Sequence, residues 1–248
     1  AASVEMNRET TNRIRFVLED IVPAFLRDSR AFKALASLVW GKHISELATF
    51  RERAAFLTDD EYEALYQKHP RVHEGSDNSK ACIAQITADI VGESVCDIGC
   101  GTGFLLSKVK AARPAVTQFT GVDFVVDDAE AIDGIDYVAA KIENLPFEDG
   151  AFDTVICTHV IEHVLEYRAA IAELRRITAK RLIIIVPRER EYRYTFNPHF
   201  NFFPYTHSFL RAMHPVPDGY SCRDIGRDIY YVETRIEEET ACHKRAAE

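Results

Sequence analysis

Seven consecutive residues constrain this chain more than any others: Asp97-Ile98-Gly99-Cys100-Gly101-Thr102-Gly103, placed where an apolar run gives way to a helical one. Ser94 to Asp97 reads as a strand, and a helix is predicted from Phe104. Glycines between them let backbone amides approach a ligand without a Cβ in the way. The spacing is G-x-G-x-G with an acid just before it. A dinucleotide fingerprint would read G-x-G-x-x-G and rest a pyrophosphate on the helix start. An acid there repels a pyrophosphate and suits a ligand carrying an ammonium or sulfonium charge.

Beyond this turn the texture is short β-rich runs alternating with helices, the pattern of a doubly wound parallel sheet. The further strands are predicted over 118–123, 136–140, 152–158 and 181–186. A strong helix is expected over 160–178, carrying Val164, Ile171, Leu174 and Ile177 at helical spacing. Two terminal runs, 220–224 and 228–236, read as an antiparallel hairpin, and the charged tail beyond Glu237 reads as solvated. Asp123 closes the second strand, beside the glycine turn at the carboxyl edge of the sheet, where open α/β folds bind ligands. Its carboxylate can accept hydrogen bonds from both hydroxyls of a ribose.

Residues 1–79 are expected to form a helical extension and residues 80–248 the ligand-binding domain. The extension opens with Ile14, Val17, Leu18, Ile21, Val22, Phe25 and Leu26 in an amphipathic pattern that Pro23 should kink or divide. Helices are expected around 32–39 and 44–56. Thr58 with Glu61 predicts a capping box for a segment ending near Gln67, and 69–77 reads as a loop. A formal charge of −9 disfavours a nucleic-acid partner, because binding phosphates needs clustered Lys and Arg. The six cysteines form no CxxC, which fits reduced thiols and a cytoplasmic protein. No apolar run approaches the roughly 18 residues needed for a membrane span. The chain opens without Met, which reads as processing or trimming, and its start lacks the basic-then-apolar pattern of a secretory leader.

The motifs V-C-D-I-G-C-G-T-G-F (95–104), G-V-D (121–123), E-N-L-P-F (143–147), F-D-T-V-I-C-T-H-V-I-E-H-V (152–164) and L-I-I-I-V-P (182–187) resemble the class I S-adenosylmethionine-dependent methyltransferases, in particular those acting on small molecules. The resemblance covers about two thirds of the chain. It implies a seven-stranded sheet with an antiparallel last strand. It also implies that Asp97, Gly99, Cys100, Gly101 and Gly103 surround the methionine portion of S-adenosylmethionine and that Asp123 holds the ribose. Phe124 and Thr158 belong to the same expected cofactor edge. Relatives often carry an Asp at the position of Lys141 to hold the adenine amino group. Lys offers no acceptor, so the adenine is expected to be read by backbone groups of Ile142 and Glu143 or by another side chain.

After the fourth strand comes Thr158-His159-Val160-Ile161-Glu162-His163. In a helix, His159, Glu162 and His163 would share one face. The segment resembles the E-x-x-E-H motif of methyltransferases that bind a divalent metal, with His159 in place of the first Glu, and Asn197-Pro198-His199-Phe200 resembles their downstream histidine segment. The resemblance implies a ligand set of His159, Glu162, His163 and His199. With imidazole substituted for a carboxylate, zinc, iron or manganese gains on magnesium. Without a metal, His163 or His199 would serve as general base. Tyr192, Tyr194, Phe196, Phe200, Phe202, Phe203, Tyr205 and Phe209 form an aromatic insertion that could enclose a substrate or fill core. Arg188, Arg190 and Arg193 alternate with Glu189 and Glu191, a pattern read as a solvated charge run.

The activity implied is methyl transfer to an oxygen or nitrogen of a small metabolite, with the amino-terminal helices as a lid. Two other classes compete. A nicotinamide oxidoreductase lacks its glycine spacing here, whereas a non-catalytic S-adenosylmethionine-binding regulator would keep the same turn.

Overall fold

The computed structural model describes residues 16–40, 50–54, 56–58, 61–62, 64, 75–126, 131–194 and 198–235. Among these residues seven strands build one sheet: β1 (Ser94–Ile98), β2 (Gln118–Asp123), β3 (Asp136–Ala139), β4 (Phe152–Thr158), β5 (Thr178–Pro187), β6 (Tyr220–Ile225) and β7 (Asp228–Thr234). Their order is β3-β2-β1-β4-β5-β7-β6, with β7 antiparallel to both of its neighbours and the other pairings parallel. The doubly wound fold with an antiparallel last strand is therefore present.

The period of two along each strand builds a core on both faces. Leu182, Ile184 and Val186 of β5 join one buried cluster with Cys96 and Ile98 of β1 and Tyr231 of β7. Ile183 and Ile185 join the opposite cluster with Val95 and Tyr230. Strands buried on both faces must be apolar throughout, which is why L-I-I-I-V reads as one unbroken run. Helices α4 (Lys80–Asp89) and α5 (Phe104–Ala112) cover the second face through Cys82, Ile86, Leu105, Leu106 and Val109. Helices α6 (Tyr167–Ile177) and α7 (Thr206–Ala212) cover the first through Ile171, Leu174, Ile177 and Phe209.

Strand order reverses at β1, whose neighbours are β2 and β4. Register places Asp97 opposite Gly121 and Ile156, and Ile98 opposite Val122 and Cys157. The exits of β1, β2 and β4 thus lie side by side, with Gly99, Asp123 and Thr158 at one edge.

Pro23 divides the amino-terminal pattern as expected. A π-helical turn, Val17–Ile21, ends at extended Val22, and Pro23 caps the short helix α1 (Ala24–Arg27), followed by α2 (Arg30–Trp40). Of the helix expected over 44–56, the described part is α3 (Phe50–Ala54). The capping box forms: Thr58 N donates to Glu61 Oε2 at 2.9 Å and Glu61 N to Thr58 Oγ1 at 3.3 Å. The extension is tied to the sheet domain at several points. Arg227 Nη1 pairs with Asp20 Oδ2 at 2.7 Å, Arg193 N donates to Asp28 Oδ1 at 2.8 Å, and the Arg27 guanidinium lies 3.3 Å from the Tyr192 ring centre. Most of the loop expected over 69–77, Ile14, Phe196 and the tail from 236 lie outside the described residues. Among the described residues no helix is long and apolar enough to cross a membrane.

The helix expected over 160–178 starts only at Tyr167. Before it come a 3₁₀ turn, Ile161–His163, and an extended Val164. Tertiary contacts explain the break. Asn201 Nδ2 donates to Ile161 O (2.8 Å) and Val164 O (2.7 Å), while Phe200 N and Asn201 N donate to Glu162 O. Carbonyls that an α-helix would use for its own ladder are taken by a loop some forty residues later.

Candidate active site

At the carboxyl edge of β1, β2 and β4 lies a cavity of about 600 Å³, within the usual range for small-molecule sites. Its floor is the glycine turn. Gly99, Gly101 and Gly103 have φ of +79°, +54° and +78°, which L side chains rarely adopt. The turn is also close-packed: a Cβ on Gly99 would lie 2.2 Å from Val160 Cγ2, and one on Gly103 2.1 Å from the Tyr137 hydroxyl. Gly99 therefore lets the segment after β4 press against the turn. Gly101 N donates to Asp123 Oδ2 at 2.8 Å, so one carboxylate oxygen of Asp123 holds the turn. Asp97, Gly99, Cys100, Asp123, Phe124, Ile142, Glu143 and Thr158 all line the cavity, whereas Gly101 and Gly103 do not.

Residues 140–144 form a side wall, and the stretch that follows is held by α6. Glu173 Oε2 accepts from Leu145 N at 2.9 Å, and Arg176 donates to the carbonyls of Phe147 (2.6 Å) and Leu145 (3.0 Å) while pairing with Glu173 at 2.7 Å. The Arg176 hydrogen bond holds the Glu173 carboxyl below its ordinary range.

Asn78, just before α4, lines the opposite wall and is buried. Its Nδ2 donates to Thr158 Oγ1 at 2.9 Å and Ser76 Oγ at 3.2 Å. Among the described residues Oδ1 accepts no hydrogen bond. The loop expected over 69–77 stops one residue short of Asn78, and the sequence carried no signal for this placement.

The 3₁₀ turn alters the expected convergence. His159, at φ +56°, sits between two buried carboxylates: Nδ1 is 3.5 Å from Glu162 Oε1 and Nε2 is 3.9 Å from Asp228 Oδ2. Glu162, His163 and His199 are the group that comes together, each offering one ligand atom within 4.8 Å of the others. His159 stands outside that group, because the shared helical face it needed does not form. Only His163 of the three lines the cavity; Glu162 and His199 are buried behind it.

Each imidazole of the group is oriented from behind. His163 Nδ1 is 3.0 Å from Pro198 O, and His199 Nδ1 is 2.7 Å from Glu189 Oε2. A carbonyl only accepts, so Nδ1 of His163 donates and its neutral ring carries the lone pair on Nε2. Burial and the nearby His199 push the His163 pKa down to about 4. Burial pushes the Glu162 carboxyl up, but the His159 hydrogen bond and the surrounding imidazoles outweigh it and hold the pKa at about 2. Glu162 Oε2 is buried and accepts no hydrogen bond among the described residues. A neutral imidazole, an ionised carboxylate and an unsatisfied buried oxygen form a donor set that fits a divalent cation.

Glu189 was read from sequence as part of a solvated run, and the structure corrects this. Arg188 pairs with Asp224 at 3.3 Å and Arg190 is exposed, while Glu189 between them turns inward and is buried. The aromatic insertion also divides. Phe203 and Phe209 belong to the core, and Tyr192 and Tyr194 pack near the extension. Among the described residues of the insertion, Phe200 alone lines the cavity. There it meets Phe50 (5.0 Å between ring centres) and Tyr62 (5.4 Å), and Tyr62 OH donates to His163 O at 2.9 Å. Leu57, Val164 and Leu165 extend this apolar roof.

Residues 96–186, spanning β1 through β5, match the family described as "Methyltransferase domain". This segment is similar to methyltransferase domains. Among similar proteins, the ubiquinone biosynthesis O-methyltransferase of Idiomarina loihiensis is 31% identical over 171 residues, covering 65% of this chain and 58% of that protein. The namesake protein of Chromobacterium violaceum is 38% identical over 86 residues, covering 31% and 36%. The chain spans less than two thirds of the length of the relatives it matches. The sheet domain has the fold of the PH0226 protein of Pyrococcus horikoshii, with a TM-score of 0.50 at 15% identity over 63% of this chain and 89% of that one.

Proposed function

We propose that this chain transfers the methyl group of S-adenosylmethionine to a hydroxyl oxygen of a small, largely apolar or aromatic molecule. One observation carries the reading: a single cavity runs from Asp97, Asp123 and the glycine turn to His163 beneath an aromatic roof. S-Adenosylmethionine supplies an already activated sulfonium methyl, so the residues chiefly position, exclude water and remove a proton. Asp97 receives the ammonium, Asp123 the ribose hydroxyls, and the backbone of Ile142 and Glu143 the adenine. Lys141 opens that wall without an acceptor for the adenine amino group. Tyr62 and Phe200 flank the acceptor, whose hydroxyl faces His163. The helical extension acts as a cap through Leu57, Thr58 and Tyr62, and residues 1–79 and 80–248 are the two units of this scheme. The names of the O-methyltransferase relatives favour oxygen over nitrogen.

Glu162, His163 and His199 would hold one divalent cation, zinc, iron, manganese or magnesium. When bound, such an ion lowers the pKa of a ligated hydroxyl. If the protein works without one, the neutral ring of His163 takes the acceptor proton. The cysteine spacing, with no CxxC, favours a reducing, cytoplasmic setting. Calorimetry with S-adenosylmethionine, followed by turnover with a panel of phenols and amines, tests the reading. Formation of S-adenosylhomocysteine with phenols supports it. Binding without turnover on any acceptor contradicts it and favours a regulator.

A further inference from the structure

We propose that Glu189 is a positioning residue that fixes the tautomer and direction of the His199 imidazole. The inference rests on the reading of His163 and His199 as the chemical wall of the site, and it assigns a role to a residue outside the cavity. Three observations support it. The contact is short, 2.7 Å from Oε2 to Nδ1, and both side chains are buried, so solvent does not compete for it. The backbone of Glu189 is itself held: its N–H donates to Phe203 O at 3.3 Å, and Arg188 beside it bridges to Phe203. The outward pair Arg188–Asp224 fixes the alternation that turns Glu189 inward.

A carboxylate that accepts from Nδ1–H leaves the neutral ring with its lone pair on Nε2. His163 reaches the same state through Pro198 O. The two rings meet edge to face, with centres 4.6 Å apart, and each offers one nitrogen to the small group they form with Glu162. This is the arrangement in which outer carboxylates orient metal-ligating histidines. It orients a proton-accepting ring equally well.

The test is the imidazole tautomer of His199, read by long-range ¹⁵N–¹H correlation in the intact protein without added metal, together with cobalt(II) affinity. Wild type should show the Nδ1–H tautomer at His199. Glu189→Leu should give a mixed or Nε2–H population, and cobalt(II) affinity should fall by about 10- to 100-fold. Glu189→Gln keeps an acceptor and should retain the tautomer while losing part of the affinity. A tautomer shift in a protein that takes up no cobalt(II) supports the role of Glu189 and overturns the metal reading alone. An Nε2–H tautomer in wild type overturns the proposal even if Glu189→Leu does not fold. So does a tautomer unchanged in a folded Glu189→Leu.

Discussion

His163 and His199 lie 36 positions apart in sequence, yet their imidazoles meet at 84° with ring centres 4.6 Å apart. The first follows β4 and the second follows β5, and the two strands are paired from Thr154–Arg181 to Thr158–Ile185. Strand pairing therefore carries both histidines to one edge. They occupy the same wall, with His163 at the cavity surface and His199 behind it, rather than facing each other across the pocket.

If this wall holds a divalent cation, chelation should abolish methyl transfer and one transition metal should restore it, with about one equivalent bound per chain. If activity survives chelation, His163→Ala should lower kcat by about 10²- to 10⁴-fold, as expected for loss of a general base. Metal analysis and steady-state kinetics on the same preparations separate these outcomes. A variant fully active without metal would leave catalysis to positioning alone.

Asp123→Ala should weaken S-adenosylmethionine binding by about 1.5 to 3 kcal/mol, since charge-assisted hydrogen bonds to ribose hydroxyls would be lost. The same substitution removes the acceptor for Gly101 N, so the turn itself should loosen. Calorimetry reads the first effect. Unchanged affinity would remove Asp123 from the cofactor site.

Gly99→Ala introduces a Cβ 2.2 Å from Val160 Cγ2 at a φ of +79°. Strain of this kind costs about 1 to 3 kcal/mol, and the steric part belongs to Val160. Adding Val160→Ala should recover part of the lost stability but not the part due to φ. A double-mutant cycle in urea measures the coupling. Strict additivity would show that the two residues do not press on each other.

Glu173 and Arg176 brace the stretch that carries Ile142 and Glu143, so Arg176→Ala should weaken S-adenosylmethionine binding without touching the cavity. Glu173 supplies a pH test. Its folded carboxyl is held below the ordinary value of 4.5, chiefly by the Arg176 hydrogen bond. Its contribution is therefore complete above that value and is lost as pH falls through the lower folded value. Acid unfolding of Glu173→Gln should be flatter in that window, by a small amount because the group is only part-buried and solvent screens the pair. Identical acid profiles would argue against the brace.

What sequence made legible was set by local physics. Strands such as β5 announce themselves because burial on both faces requires unbroken apolar residues, and the glycine turn because positive φ excludes most side chains. The helix start at Tyr167 was hidden, since Asn201 and Phe200 intercept the carbonyls of Ile161, Glu162 and Val164 from far along the chain. Glu189 was hidden for a related reason: among Arg188, Arg190 and Glu191 its composition is that of a surface, and only the partner His199 shows that it is interior. Asn78 and Tyr62 gave no motif at all. Their place in the site depends on the docking of one segment on another.

The most direct measurement is transfer of a deuterated methyl from S-adenosylmethionine to a phenolic acceptor, followed by mass spectrometry. Wild type should yield labelled methyl ether and one equivalent of S-adenosylhomocysteine, with the product greatly reduced in Asp123→Ala and His163→Ala. Tight S-adenosylmethionine binding without labelled product from any phenol, catechol or amine would contradict the account and leave a binding protein on a methyltransferase fold.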